Sequence, residues 1–209
     1  MKRYQPAPGL SIPCVAMGCM RIAGMEVSAL ETLVKTALEG GVDYFDHADF
    51  YGDHQSEVRF GEMLKANPSL RDRMLIQSKC GIRTGFYDSS YEHIVHSAEN
   101  SLRKLHTDHL DALLIHRPDV LAEPEEIARA FRHLKETGKV RYFGVSNHSP
   151  MQVEVLQQAV GERLLFNQMQ MSIVHTGMID QGVNVNTTFP GAVDRDGGVL
   201  EYTKLKKMV

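Results

Sequence analysis

The sequence predicts an α/β fold of the (β/α)8, TIM-barrel type, incomplete, with about six parallel strands and covering helices. Short apolar runs alternate with amphipathic stretches along most of the 209 residues, and the short connections between them are typical of a parallel sheet. A GxGxxG turn would favour an open dinucleotide-binding sheet, but "MGCMRIAG" after the first strand does not supply one. Polar residues at the ends of successive strands favour a barrel, because a barrel brings those ends to one mouth.

The strands and helices are predicted in strict alternation. The strands are the apolar runs 14–18, 42–48, 73–81, 109–118, 139–147 and 163–171. The helices are the amphipathic segments 28–41, 56–68, 90–106, 124–138 and 149–161. The first helix has Ser28 as a candidate N-cap, Glu31 to complete a capping box, and Gly40–Gly41 to end it.

The later helices carry similar signals. Asn67–Pro68 stops the second helix, and Pro124 and Gly138 bracket the fourth near N1 and at C′. The fifth helix has Pro150 at N1. The third shows apolar residues at helical spacing, namely Ile94, Ala98, Leu102 and Leu105.

The tail, residues 172–209, differs from the rest of the chain. It is rich in Gly and Asn up to about Gly198, and a short helix is predicted over 199–208. A loop of this length inside a compact domain is often functional. We interpret residues 1–209 as a single domain.

Composition indicates a soluble globular protein and excludes several classes. Hydrophobic residues make up 43% and charged residues 23%, and the net charge of −3 gives no electrostatic reason to bind nucleic acid or an anionic membrane. Cys14, Cys19 and Cys80 are scattered, which suits a reducing compartment. The sequence contains no apolar leader and no run long enough to span a bilayer, so we expect a cytoplasmic protein.

Successive predicted strands each deliver a polar residue at the same end. Asp46 ends the second strand and Lys79 the third. The next three strands end in His116, in Ser146 with Asn147, and in Asn167 with Gln168. Amide side chains of this kind can bind a carboxamide through paired donor and acceptor contacts.

Tyr51, Lys79, Asp46 and His116 form a candidate proton-delivery set. A phenol with a pKa near 10 is a poor acid at pH 7, but a neighbouring ammonium favours its ionised form. A carboxylate can orient that ammonium, and an imidazole can position a substrate carbonyl. Since no side chain supplies hydride, reduction by this set requires a nicotinamide or a flavin.

Five motifs in register resemble the aldo-keto reductase family. They cover about residues 8–175 and are "FDHADFYG", "LIQSKCG", "LDALLIHRPD", "GKVRYFGVSN" and "LLFNQMQ". The resemblance implies NADPH-dependent reduction of small aldehydes or ketones to alcohols. It implies Tyr51 as general acid, with Lys79 favouring its ionisation. It also implies Asp46 as the partner of Lys79, and His116 as the residue that orients the carbonyl.

The same resemblance implies a cofactor site. It places Ser146, Asn147 and Gln168 on the nicotinamide carboxamide, and Asp46 close to the cofactor. Met20 and Arg21, in "GCMR" after the first strand, match positions beside the cofactor.

The chain departs from this family in strand number, since six strands are predicted where the family has eight. The absent part would carry an aromatic residue against the nicotinamide, the pyrophosphate loop and the basic residues for the 2′-phosphate. We expect the first and sixth strands to be unpaired edges through which chains could associate. A second hypothesis is therefore a non-catalytic shortened barrel that acts as an interaction module, or a fragment.

A third hypothesis is a metal-dependent hydrolase that uses Asp46, His47 and His116. "DHAD" lacks the His-x-His spacing of barrel metallohydrolases, so we expect no metal site here. We expect His47 and Asp49 instead to be solvated or to support the site from behind.

Overall fold

The computed structural model describes residues 1–194 and 196–209, and these form an antiparallel hairpin, a six-stranded parallel sheet and a small ribbon. The hairpin is β1–β2, the ribbon is β6–β7, and the other strands form the sheet. The strands are β1 (Arg3–Ala7), β2 (Leu10–Pro13), β3 (Met17–Gly18), β4 (Tyr44–Asp46), β5 (Leu75–Cys80), β6 (Ile82–Arg83), β7 (Phe86–Tyr87), β8 (Leu110–Ile115), β9 (Val140–Ser146) and β10 (Phe166–Gln168).

Helices follow the sheet strands as predicted, and most boundaries agree within about two residues. The helices are α1 (Val27–Glu39), α2 (Ser56–Ala66), α3 (Tyr91–Leu105), α4 (Pro124–Glu136), α5 (Pro150–Ala159), α6 (Gly177–Val183) and α7 (Val199–Lys206). Short 3₁₀ turns occupy Pro68–Arg73 and Pro190–Ala192. No helix in the described part of the chain combines the length and the apolar character needed to cross a membrane.

The sheet has the strand order β10-β9-β8-β5-β4-β3, and all its strands are parallel. Each strand lies beside its predecessor in the chain, as in a (β/α)8 barrel, and the result is a curled half-barrel. The prediction of an incomplete barrel is confirmed. Along the outer side of β10, Val209 donates its N–H to the Leu165 carbonyl and accepts from the Asn167 N–H, each at 2.8 Å. The expectation that the sixth strand is an unpaired edge is therefore wrong, because the end of the chain pairs with it.

The strand register brings the polar strand ends to one mouth. Asp46 lies opposite Gln77 across β4 and β5, and Gln168 lies opposite Ser146 across β10 and β9. Side chains two residues apart on a strand share a face, so Lys79 lies on the same face as Gln77.

Two apolar clusters support this mouth. The larger one fills the space between the sheet and the helices, where Phe131 and Phe143 stack with ring centroids 4.2 Å apart. The smaller one lies inside the barrel and is covered by the β1–β2 hairpin. It contains Leu10, Ile12, Tyr44, Ala112, Leu114, Leu165 and Phe166. The inner face is therefore apolar at its base and polar at its mouth.

Three local features differ from prediction. Helix α1 begins one residue before Ser28, and its N-cap, Glu26, makes no side-chain cap hydrogen bond within the described residues. The Ser28 carbonyl instead accepts from the Thr32 hydroxyl at 2.9 Å, so the predicted capping box is wrong. The N-terminal hairpin was not predicted, and α6 lies in the Gly- and Asn-rich tail, where no helix was predicted before residue 199. By contrast, Ser149 and Gln152 form a capping box at α5, which has Pro150 at its start.

Candidate active site

Lys79 joins two other predicted catalytic residues, Asp46 and Tyr51, into one hydrogen-bonded unit. Its Nζ donates to Asp46 Oδ1 at 2.5 Å and to the Tyr51 hydroxyl oxygen at 3.0 Å. A third bond goes to the His47 carbonyl at 2.9 Å. The residue is 1% exposed, and burial of an ammonium is tolerated because all three of its donors find acceptors.

The loop after β4 places Tyr51 over this ammonium. The chain continues along β5 beyond Asp46, since the Asp49 N–H donates to the Lys79 carbonyl at 3.0 Å. It then turns sharply, with positive φ at Gly52, Asp53 and His54. A Cβ on Gly52 would lie 2.6 Å from the Ala23 side chain, so the turn requires glycine there.

His116 lies beside Tyr51 at the same mouth. The two rings meet edge to face, with centroids 5.7 Å apart and an interplanar angle of 79°. Burial, reinforced by the Lys79 charge, lowers the pKa of His116 to about 4. The imidazole is therefore neutral at neutral pH and carries one N–H donor.

Ser146, Asn147 and Gln168 form a second hydrogen-bonded group at the ends of β9 and β10. Asn147 adopts a left-handed backbone with φ of 60°. Its Nδ2 donates to Ser146 Oγ at 2.8 Å and to the His116 carbonyl at 3.3 Å. Ser146 Oγ in turn donates to the Gln168 carbonyl at 2.8 Å. The predicted carboxamide-binding residues are thus adjacent to one another and to His116.

Met20 and Arg21 lie on the turn after β3 and are exposed. Within residues 1–194 and 196–209, neither side chain makes a hydrogen bond to the Lys79 or Asn147 groups. The Met20 carbonyl accepts from Ser56 Oγ at 3.3 Å, which connects this turn to the start of α2.

The prediction missed two residues, Gln77 and Tyr44. Gln77 Nε2 donates to Asp46 Oδ1 at 2.5 Å and to Gln168 Oε1 at 3.0 Å. Gln168 Nε2 donates to Asp46 Oδ2 at 3.0 Å, and Tyr44 donates to Gln77 Oε1 at 2.8 Å. The signal available in the sequence was alternation, since Gln77 is two residues before Lys79 and faces the same way.

His47 and Asp49 are buried rather than solvated, with 0% and 8% exposure. His47 packs edge-on against Phe60 at 4.5 Å, and burial lowers its pKa to about 3. Among the residues that the structure describes, no group of three or more His, Cys, Asp or Glu side chains is arranged to bind a metal ion. The geometry therefore gives no support to the hydrolase hypothesis.

A cavity of about 380 Å³ opens beside Asp46 and Gln168. Gly18, Asp46, Gln77 and Gln168 line its polar side, and Tyr44 and Phe166 are among the aromatic residues that line it. A cavity of this size with a few convergent polar groups is typical of a small-ligand site.

Comparison with known proteins identifies relatives of the chain. A model of the aldo/keto reductase family matches residues 15–205. Oxidoreductase YdhF of Escherichia coli K12 is 47% identical over 176 residues, which are 79% of this chain and 59% of that protein. Uncharacterized oxidoreductase YcsN of Bacillus subtilis 168 is 39% identical over 198 residues, 88% of this chain and 66% of that protein.

Two further matches extend the comparison. A 6-dehydroglucose reductase of Agrobacterium fabrum is 37% identical over 195 residues, 87% of this chain and 66% of that protein. The crystal structure of a thermostable aldo-keto reductase, Tm1743, with the inhibitor epalrestat gives a TM-score of 0.79 at 25% identity. That match covers 100% of this chain and 71% of the other. The chain thus spans 59% to 66% of the length of these three curated relatives.

Proposed function

The chain belongs to the aldo/keto reductase family, and from this membership we propose that it reduces small aldehydes and ketones to alcohols with NADPH. The observation that carries the proposal is the Lys79 ammonium, which contacts both Asp46 Oδ1 and the Tyr51 hydroxyl. An ion pair with a purely structural role would require only the contact between Lys79 and Asp46. The additional contact with a half-buried phenol at the mouth favours proton delivery.

Tyr51 is proposed as the general acid. Its oxygen accepts from Lys79, so its own proton is free to pass to a substrate oxygen. The phenolate that remains is stabilised by the same ammonium, and Asp46 keeps that ammonium in place. No rearrangement of these side chains is needed at the moment of transfer.

His116 is proposed to orient the substrate carbonyl. Because its pKa is lowered to about 4, it is neutral at pH 7 and offers an N–H as a hydrogen-bond donor. Its edge-on contact with Tyr51 directs both groups to one region, where a single carbonyl oxygen could accept from both.

A nicotinamide cofactor would supply the hydride. The residues fit such a group, because the amides of Asn147 and Gln168 and the Ser146 hydroxyl lie together at the ends of neighbouring strands. These side chains offer both donors and acceptors to a carboxamide. We propose Met20 and Arg21 as outer contacts of the cofactor, since both are exposed on the turn beside the mouth.

The test is Tyr51→Phe, assayed by the loss of NADPH absorbance with an aromatic aldehyde and with an oxidised sugar. Removal of the acidic proton should lower kcat by about 10²- to 10⁴-fold, while calorimetric NADPH binding is retained. Tyr87→Phe, on the exposed β6–β7 ribbon, is the matched control and should behave as wild type.

The alternatives give different outcomes in the same experiment. Full activity of Tyr51→Phe would reject Tyr51 as the acid. A wild-type chain that does not bind NADPH, but self-associates in light scattering, would favour the interaction module over the reductase. The outer side of the edge strand β3 would be the surface for such association, since Val209 already pairs with the outer side of β10.

A further inference from the structure

Gln77 and Tyr44 form a buried polar pair on the inner face of the barrel, below the catalytic residues. Their exposures are 4% and 6%, and the Tyr44 hydroxyl lies 2.8 Å from Gln77 Oε1. Neither residue is required by the proton-delivery scheme. A buried amide in a largely apolar layer is costly unless its contacts have a use.

The orientation of the Gln77 amide follows from its neighbours. The Asp46 carboxylate can only accept, so the amide nitrogen must face it and the amide oxygen must face Tyr44. Burial, with the Asp46 charge nearby, raises the pKa of Tyr44 further above its ordinary value. The hydroxyl therefore keeps its proton and donates to the amide oxygen, which fixes the flip of the amide.

The two N–H groups of Gln77 then have separate partners. One reaches Asp46 Oδ1 at 2.5 Å and the other reaches Gln168 Oε1 at 3.0 Å. Gln168 completes the ring by donating to Asp46 Oδ2 at 3.0 Å. Both oxygens of Asp46 are thus bonded, Oδ1 by Lys79 and Gln77 and Oδ2 by Gln168.

We propose that Gln77, oriented by Tyr44, is a positioning residue that fixes Asp46 against Lys79 and keeps Gln168 beside it. The inference rests on the proposed function, in which Asp46 serves proton delivery and Gln168 serves the cofactor. Gln77 is bonded to both Asp46 and Gln168, so it reinforces the direct hydrogen bond that joins the two halves of the site.

The test compares Gln77→Glu with Gln77→Met. Methionine fills the space without a donor, so its defect should not depend on pH. Glutamate has the shape of glutamine. Burial and the Asp46 charge raise its carboxyl pKa, and they outweigh the opposing effect of the Lys79 ammonium, which is bonded to the same Asp46 oxygen. When protonated, the glutamate donates to Asp46 as the amide does; when ionised it repels Asp46. The Gln77→Glu defect should therefore shrink as the pH falls.

Two readouts are taken across the same pH series, each relative to wild type. Near neutral pH, the kcat of both variants should be lower than that of wild type by roughly tenfold or more, which is the loss expected for one hydrogen bond to a charged group. Only Gln77→Glu should recover at lower pH. The midpoint of thermal unfolding, measured without cofactor, should show the same recovery. Tyr44→Phe should lower kcat and the unfolding midpoint by less than the Gln77 variants do. The control is Tyr142→Phe, whose hydroxyl donates to the Pro8 carbonyl at 3.4 Å.

The outcomes separate this inference from the proposed function. If wild type reduces carbonyls and both Gln77 variants match it, Gln77 merely fills space and the inference is wrong. The inference is also wrong if both variants lose activity equally at every pH, because the loss then does not depend on a donor to Asp46. If wild type shows no turnover, the proposed function fails. The thermal-unfolding measurements then test the inference by themselves. If Gln77→Glu lowers the unfolding midpoint by the same amount at every pH, the contact with Asp46 is rejected.

Discussion

At the scale of single residues, Lys79 determines the geometry of the site. Its three N–H donors are bonded to Asp46, the Tyr51 hydroxyl and the His47 carbonyl. A buried ammonium with all its donors used has few alternative positions, so it fixes the phenol relative to the strands. The first two partners follow from the motif. The carbonyl contact does not, because it depends on how the backbone turns after β4.

Asp49, two residues before Tyr51, is a buried carboxyl that proton delivery does not use. It is 8% exposed, and its Oδ1 has no hydrogen-bond partner among the described residues. Burial, together with the nearby Glu57 charge, raises the pKa of Asp49 to about 7. Glu57 is itself buried and bonded to Ser78 Oγ at 2.6 Å and to Ser101 Oγ at 3.1 Å.

The raised pKa of Asp49 predicts a pH-dependent stability. The folded protein retains this proton up to a pH of about 7, whereas the unfolded chain releases it near 3.8. The stabilisation is therefore fully present below a pH of about 4 and is lost as the pH rises to about 7. Asp49→Asn stays neutral, so its free energy of unfolding relative to wild type should increase over this range, by up to about 4 kcal/mol.

Urea unfolding of wild type and Asp49→Asn from acidic to mildly alkaline pH measures this difference. Asp53→Asn, at an exposed position of the same loop, is the control and should follow the wild-type curve. Parallel curves for Asp49→Asn and wild type would show that Asp49 ionises as easily in the folded protein as in the unfolded chain.

At the scale of elements, the sequence predicted those parts whose local pattern agrees with their environment. The five helices between the strands were found from apolar spacing and from end signals such as Pro150 and Gly138. The β1–β2 hairpin was missed because "RYQPAPGLSIP" contains three prolines, which normally indicate a loop. Its apolar alternation, Leu10 and Ile12, becomes meaningful only once the barrel interior exists to cover it.

The contact between α2 and α3 depends on a glycine. A Cβ on Gly61 would lie 1.8 Å from the Lys104 carbonyl oxygen and 2.8 Å from its carbon. Alanine normally stabilises a helix interior by about 1 kcal/mol relative to glycine. Here it would collide with backbone, so Gly61→Ala should instead destabilise the protein by about 1–3 kcal/mol.

The matched control is Gly182→Ala in α6. The nearest atom to an added Cβ there is a Glu201 carboxylate oxygen at 3.3 Å, which belongs to a flexible side chain. Chemical denaturation should show a lower midpoint for Gly61→Ala and an unchanged or raised midpoint for Gly182→Ala. Equal stabilisation by both substitutions would contradict the close approach of α2 to α3.

At the scale of the whole molecule, the fold could be predicted further than the site. Alternating strands and helices and polar strand ends are local features, and they sufficed to predict the half-barrel and the residues at its mouth. The ring of Gln77, Gln168 and Asp46 could not be predicted in the same way. Its members lie 31, 91 and 122 positions apart in sequence, and only the strand register brings them together.

The last prediction concerns the base of the barrel, where a substitution should lower the stability of the fold and leave cofactor binding unchanged. Leu10 in the β1–β2 hairpin is 3% exposed and packs in the inner apolar cluster beneath the mouth. Leu10→Ala should leave a cavity there and lower the free energy of unfolding by about 2–5 kcal/mol. The control Val15→Ala, at a side chain that is 54% exposed, should change the free energy of unfolding by less than about 0.5 kcal/mol.

Under conditions where both variants are folded, their NADPH affinity should match that of wild type, because the hydrogen bonds around Lys79 and Asn147 include no atom of the hairpin among the described residues. A Leu10→Ala variant as stable as Val15→Ala would mean that the hairpin does not close the barrel.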